Sequence, residues 1–225
     1  MNLKSRLVSV FLLVLIALAI SALIGFCIFT AHAQSVKNDS WKTSLMPVLK
    51  SITKASKVYP YSLVDFGREK NLDCISVVLD NAQLPNSRVI LMKLRGSIPK
   101  GYVCFVGTTH WCGDFKPNGF EVVIGPGRSQ FDIIKHAKTD GVNCDISTED
   151  IILKLKSFDK EVGINILQAS TDYVEFEFVK QPEDLLAFTR KVCSFCPDLI
   201  NQGTGRAEDV MTWIKNNKKV YLWWD

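Results

Sequence analysis

The chain of 225 residues is 47% hydrophobic and 22% charged, but charged residues are nearly absent from its first 33 positions. This leader contains two basic side chains, Lys4 and Arg6, and no acidic one. Such a composition argues against a soluble cytoplasmic protein. The rest of the chain is only slightly basic, and phosphate binding needs clustered Lys and Arg, so we expect no nucleic-acid partner.

The leader carries two export signals of different kinds. The uncharged run from Leu7 to Ala31 exceeds the length of about 20 residues that a transmembrane helix needs. Ala31-His32-Ala33 before Gln34, however, matches the small-x-small pattern of a cleaved signal peptide. Because Lys4 and Arg6 keep the short N-terminal side in the cytoplasm, both interpretations export the remainder of the chain. We predict contact with the inner membrane through residues 7–31, with a single-pass topology and a periplasmic C-terminal domain. The alternative is a cleaved signal and a soluble periplasmic or secreted protein.

A polar tether at residues 34–40 is followed by a predicted helix capped by Ser40. Short β-prone runs then predict a meander of strands, at Cys74–Leu79, Arg88–Leu94, Tyr102–Val106 and Phe120–Ile124.

The helical period returns after Gly127. We predict a helix capped by Ser129, a second opened by Ser147 or Thr148, a third from Pro182 to Val192 and a last one around Val210. Ile164–Gln168 and Tyr173–Val179 predict a hairpin, and Val220–Asp225 a final strand.

These elements predict an α+β fold with one extracytoplasmic domain over residues 41–225. Its first half is expected to be rich in strands, and its second half in helices and a hairpin. The chain thus divides into a leader (1–33), a tether (34–40) and this domain, because no composition break interrupts the rest.

Three ordered motifs near the C-terminus carry a family resemblance. They are Phe195-Cys196-Pro197-Asp198, Gln202-Gly203-Thr204-Gly205 and Leu222-Trp223-Trp224-Asp225. Together with Thr139–Asn143 they resemble the bacterial family called domain of unknown function 4253, over roughly residues 125–225. The resemblance implies no activity, but motifs that occur together predict one shared site. The candidate binding residues are Phe195, Cys196, Pro197, Asp198, Gln202, Gly203, Trp223, Trp224 and Asp225.

Cysteines outside the leader number six, and an exported domain with an even number favours at least one disulfide. Cys104 and Cys112 flank a predicted turn and are the first pair to test. Cys193 and Cys196 have the spacing of a thiol oxidoreductase or of half a zinc site, with His110 or Cys112 as further ligands. The motif ends a predicted helix, whereas a low thiol pKa needs a helix start, so we expect a structural role, no metal and no cofactor.

Other candidates for chemistry are weaker. His110 shares one predicted loop with Cys112 and Asp114, which makes it a candidate general base. The glycine-rich turns at 125–129 and 202–206 could hold an anion at a helix start, although neither is a nucleotide fingerprint.

The sequence therefore favours an extracytoplasmic binding or interaction module over an enzyme. Its partner is expected to be an envelope protein, for instance a toxin that an immunity-type protein neutralises. The alternative is an envelope hydrolase that uses Asp198, Asp225 or His110.

Overall fold

The computed structural model describes residues 40–62, 70–79, 83, 86–107 and 121–224. The chain divides into two compact units, Met1–Leu45 and Met46–Asp225. Within the described residues no helix is both long and apolar enough to cross a membrane. The predicted membrane segment, residues 7–31, and the tether up to residue 39 lie outside them.

The described part of the chain alternates short helices and strands. Residues 40–53 form helix α1, and the later helices are α2 (Ser87–Ser97), α3 (Asp132–Ala137), α4 (Thr148–Val162), α5 (Leu185–Phe195) and α6 (Ala207–Asn217). The strands are β1 (Tyr59–Ser62), β2 (Lys70–Val78), β3 (Tyr102–Gly107), β4 (Glu121–Pro126), β5 (Ile164–Ala169), β6 (Tyr173–Phe178) and β7 (Lys219–Trp223). This mixture of helices with one sheet confirms the predicted α+β class.

All the described strands join one sheet in the order β1-β2-β4-β3-β5-β6-β7. Neighbouring strands pair antiparallel except β3 and β5, which run parallel and share a single residue pair, Val106↔Gln168. The two antiparallel parts of the sheet therefore diverge on the side of Tyr102 and Ile164. We call this wedge between β3 and β5 the seam.

Polar side chains take the place of strand pairing along the seam. Gln130 donates from Nε2 to the Ile164 carbonyl (2.9 Å) and accepts from the Ile166 N–H (2.9 Å). From α2, the Arg95 guanidinium donates to the Cys104 carbonyl of β3 (3.0 and 2.8 Å) and to the Ile166 carbonyl of β5. Burial lowers the pKa of Arg95, but a guanidinium remains charged at neutral pH. Arg95 and Gln130 thus satisfy backbone groups that a closed sheet would pair.

Both faces of the sheet are covered. Val103 and Phe105 of β3 pack into the main core with the apolar sides of α3, α4, α5 and α6. Their neighbours Cys104 and Val106 are buried outside that cluster. Since side chains alternate along a strand, these two point to the other face, where α2 contacts β3.

The apolar periodicity of the second half predicts its elements well. The stripe Ile151, Leu155, Phe158 and Val162 of α4 is buried throughout. Ser147 caps this helix in a reciprocal arrangement with Asp150, which confirms the predicted start. The predicted hairpin is β5 and β6, and the predicted last helix and strand are α6 and β7.

One predicted element is wrong, and another begins at a different residue. Arg88–Leu94 is part of helix α2, because Leu91 and Leu94 are the positions that this segment buries, three residues apart on one helical face. The β-branched Val89 is instead exposed. The helix expected to begin at Pro182 begins at Leu185, since the Asp184 carboxylate accepts the Ala187 N–H and serves as the N-cap.

Candidate functional site

Trp224 is the residue on which the family motifs converge. Its ring meets the edge of Phe195, with centroids 5.6 Å apart and planes at 84°, and its Nε1 donates to the Phe195 carbonyl (3.4 Å). Gly141 lies against the same indole, where an added Cβ would be 2.9 Å from Trp224 Cγ. Trp224 is only 3% exposed. It therefore supports the site from the core and does not form part of its surface.

Cys196 binds the backbone of β7. Its thiol donates to the Trp223 carbonyl (2.8 Å) and accepts the Trp223 N–H (3.2 Å). Both backbone groups of Trp223 are thus turned toward Cys196 and away from the neighbouring strand β6. Since β7 is an edge strand, this thiol covers part of an otherwise open edge.

The segment between α5 and α6 forms a tight turn over β7. Leu199–Thr204 is a short π-type helical segment with a kink at Gly203, and the Pro197 carbonyl before it accepts from the Ile200 and Asn201 N–H groups. Gly205 follows with φ +77°, a conformation that favours glycine. Pro197 and Gln202 are exposed, whereas Asp198 is 7% exposed. The predicted glycine-rich turn at 202–206 is therefore an ordered turn that ends where α6 begins.

A half-open depression lies between this turn, α6 and β7, and we call it the β7 cavity. Its volume is about 270 Å³ and its lining is almost wholly apolar. The lining residues are Asp198, Leu199, Gly203, Thr204, Val210, Trp213, Ile214, Val220, Tyr221 and Trp223. Trp213 is 41% exposed and Tyr221 36%, so two aromatic side chains of the cavity also face solvent. The cavity thus unites residues from all three C-terminal motifs.

The thiols near this cavity are not poised for nucleophilic chemistry. Burial raises the pKa of Cys196 to about 11 and also raises the pKa of Cys193. Burial, followed by the charge of Asp198, raises the pKa of Cys144, whose thiol lies 3.9 Å from Asp198 Oδ2. A reactive cysteine needs the opposite shift, because the thiolate is the nucleophile.

No disulfide forms among the described cysteines, which are Cys74, Cys104, Cys144, Cys193 and Cys196. The predicted Cys104–Cys112 pair lies partly outside the described residues, because Cys112 falls in the undescribed range 108–120. Within the described part of the chain no group of His, Cys, Asp and Glu side chains could hold a metal ion.

On the other side of Trp224, Thr139–Asn143 builds a more polar depression of about 400 Å³. Thr139 is buried and donates to the Ser170 carbonyl (2.6 Å), and the Asp140 N–H donates to the Thr171 carbonyl (2.8 Å). The Trp224 N–H donates to the Asp172 carbonyl (3.0 Å). These bonds attach Thr139–Asn143 and Trp224 to the same β5–β6 turn. The motif therefore helps to hold Trp224 in place.

The two glycine-rich turns keep their helix starts occupied. The Asp132 carboxylate accepts the N–H groups of Arg128 (2.9 Å) and Ser129 (3.0 Å). At α6, Glu208 and Asp209 provide negative charge in the first turn. At the first glycine-rich turn a carboxylate of the protein therefore stands where an anion would bind, and at α6 the acidic side chains would repel one.

Some predicted site residues fall outside the described residues. His110, Asp114 and Asp225 are among them, so the hydrolase alternative stays a prediction. Of its candidate residues, the structure describes Asp198, which lines the β7 cavity without a second carboxylate among the described lining residues.

Sequence reasoning missed Trp213 and Tyr221 as parts of the site. Trp213 precedes the buried Ile214 of α6 and lies off the apolar stripe of that helix. A large aromatic residue on the polar side of an amphipathic helix was the available signal.

Neither a curated protein nor a solved structure matches the chain. Residues 121–225, which run from β4 to the C-terminus and contain all the motifs described above, match the family model "Domain of unknown function (DUF4253)". The family resemblance predicted from the sequence is thus confirmed over residues 121–225.

Proposed function

We propose that the protein is an extracytoplasmic binding module that receives an apolar group of an envelope protein partner in the β7 cavity. The observation that carries the proposal is the cavity itself, an almost wholly apolar depression walled by Trp213, Tyr221 and Trp223. Tryptophan and tyrosine dominate the energetically important positions of protein interfaces, because they bury large areas at low entropic cost.

The size of the cavity supports an apolar side chain as its occupant. An apolar cavity of about 150 Å³ accepts a benzene ring, and the β7 cavity is larger, at about 270 Å³. A phenyl, indole or branched aliphatic side chain would fit. The buried Asp198 at the edge of the lining contributes little polar surface.

Two of the three aromatic residues of the cavity are held by their neighbours. The backbone of Trp223 is bound by the Cys196 thiol, and the Tyr221 ring stacks on Tyr173 with centroids 5.4 Å apart. Preorganised walls lower the entropy that binding would otherwise cost. This arrangement suits recognition, and an immunity-type protein that captures a toxin in the envelope is one instance of it.

The leader determines the compartment in which the protein resides. We propose that residues 7–31 either anchor the protein in the inner membrane or form a signal cleaved after Ala33, so that the β7 cavity faces the periplasm. N-terminal sequencing of the mature protein distinguishes the two, since cleavage would leave Gln34 first. Recovery of the intact protein from the cytoplasmic fraction would contradict both.

Affinity capture from envelope extract tests the function. A partner retained by the wild-type chain is expected to be lost with Trp213→Asp and kept with Tyr59→Asp. Tyr59 is a matched control, because it is also 41% exposed but belongs to β1 at the opposite edge of the sheet. Equal recovery with both variants would refute a role for the cavity.

A further inference from the structure

A second depression in the described residues lies at the seam and shares no lining residue with the β7 cavity. It has a volume of about 870 Å³ and is formed by the α2–β3 connection, the start of α3 and the adjoining ends of β5 and β6. We call it the seam groove. Its floor is apolar in part, through Ile98, Val103, Ile133, Ile164 and Phe178.

Positive charge predominates around the seam groove. Arg95, Lys100 and Arg128 line it, and Lys100 and Arg128 are exposed. Among the described lining residues Glu177 is the single carboxylate, and Arg88 neutralises it through two bonds of 2.8 Å. The groove therefore has a net positive charge, although the chain behind the leader is close to neutral.

The Arg95 guanidinium is held in place at the wall of the groove. Its Nε and Nη2 are occupied by the carbonyls of Cys104 and Ile166, and Nη1 donates to Asn165 Oδ1. Nη1 carries two hydrogens, and these bonds use one of them. Arg95 therefore contributes a fixed positive charge to the lining of the groove.

We propose that the seam groove binds an acidic, partly apolar segment of a protein partner. The positive charge of the groove favours a segment with carboxylates. Its partly apolar floor favours apolar side chains that alternate with those carboxylates. The groove, at about 870 Å³, is too large for a single phosphate or carboxylate to fill. This inference does not depend on the β7 cavity and assigns a second surface to the same module.

The test uses the full-length chain in a mild detergent and two synthetic hexapeptides, one alternating Glu and Leu and the other Lys and Leu. The wild-type chain is expected to bind the Glu peptide at least about tenfold more tightly, with an affinity that falls as salt is added. Equal affinity for both peptides, or affinity independent of salt, would overturn the proposal.

Charge reversal locates the binding. The double variant Lys100→Glu/Arg128→Glu is expected to bind the Glu peptide with an affinity about tenfold lower, or lower still. The control Lys50→Glu/Arg190→Glu changes the net charge equally at exposed positions outside the groove, and should bind as the wild type does. Equal losses in both double variants would refute the location. Inorganic phosphate is the third probe, and if it displaces the peptide at equimolar concentration, the site recognises a small anion and the proposal fails.

Discussion

Arg95 offers the sharpest test of how the sheet is held together. Replacing it with Met keeps an unbranched stem out to about the position of Nε and removes the guanidinium that joins β3 to β5. The Cys104 and Ile166 carbonyls then lose a charged donor inside the seam, where β3 and β5 share only the pair Val106↔Gln168. Each buried carbonyl left without a partner costs about 1–3 kcal/mol. We therefore expect Arg95→Met to lower the free energy of unfolding by about 3–5 kcal/mol, out of a typical total of about 5–15 kcal/mol.

Urea denaturation measures this loss, provided that the slope with denaturant stays constant. Arg88→Met is the matched control, because Arg88 also lies on α2 and binds a carboxylate, but its side chain is 53% exposed. An exposed ion pair contributes about 0–1 kcal/mol. Arg95→Lys should recover only part of the loss, since one ammonium cannot reproduce the planar fork. The reasoning would be refuted if Arg95→Met cost no more than Arg88→Met.

Three further predictions concern the C-terminal motifs. Gly141→Ala should destabilise the protein by about 1–3 kcal/mol, because its Cβ would overlap the Trp224 ring. The control is Gly96→Ala on α2, which should be neutral or stabilising because a Cβ there meets nothing within 4 Å. Equal shifts of the melting temperature in both variants would disprove the role of Trp224. Cys196→Ala should cost about 1–3 kcal/mol in urea denaturation, since it leaves both backbone groups of Trp223 without their partner, and an unchanged midpoint would contradict this. Because burial raises the pKa of Cys196 to about 11, its contribution to stability should be complete below the ordinary thiol pKa and be lost as the pH rises through 11. Rapid labelling of Cys196 by a thiol reagent at neutral pH would contradict this, because it would show that the thiol is not protected by burial.

The sequence predicts best those elements whose apolar period is long and unambiguous. Helix α4 has a continuous buried stripe and a polar cap, and β6 alternates strictly, so both are recognisable without tertiary information. The prediction of a strand at Arg88–Leu94 fails because a short run of Val, Ile and Leu fits either a strand or a buried helix. The seam could not be foreseen, since the contacts of Arg95 with Asn165 and Ile166 of β5 join residues about 70 positions apart.

The sequence indicates which part of the chain forms the site, and the structure shows which of its residues are exposed. Motifs that occur together suggested a common location, and Phe195, Cys196, Trp223 and Trp224 do contact one another. Which tryptophan is exposed could not be read from the motif. Trp224 lies in the core, and the exposed aromatic residues of the cavity are Trp213 and Tyr221, which no motif contains.

The central claim is that the β7 cavity is a binding site for an apolar group. Methyl NMR spectra of the full-length chain, recorded during titration with indole, test it directly. We predict saturable shifts of the Val210, Ile214 and Val220 methyl groups, which line the cavity, and a loss of these shifts in Trp213→Ala. The claim would be contradicted if these methyl groups did not respond to indole, or if they responded equally in wild type and variant.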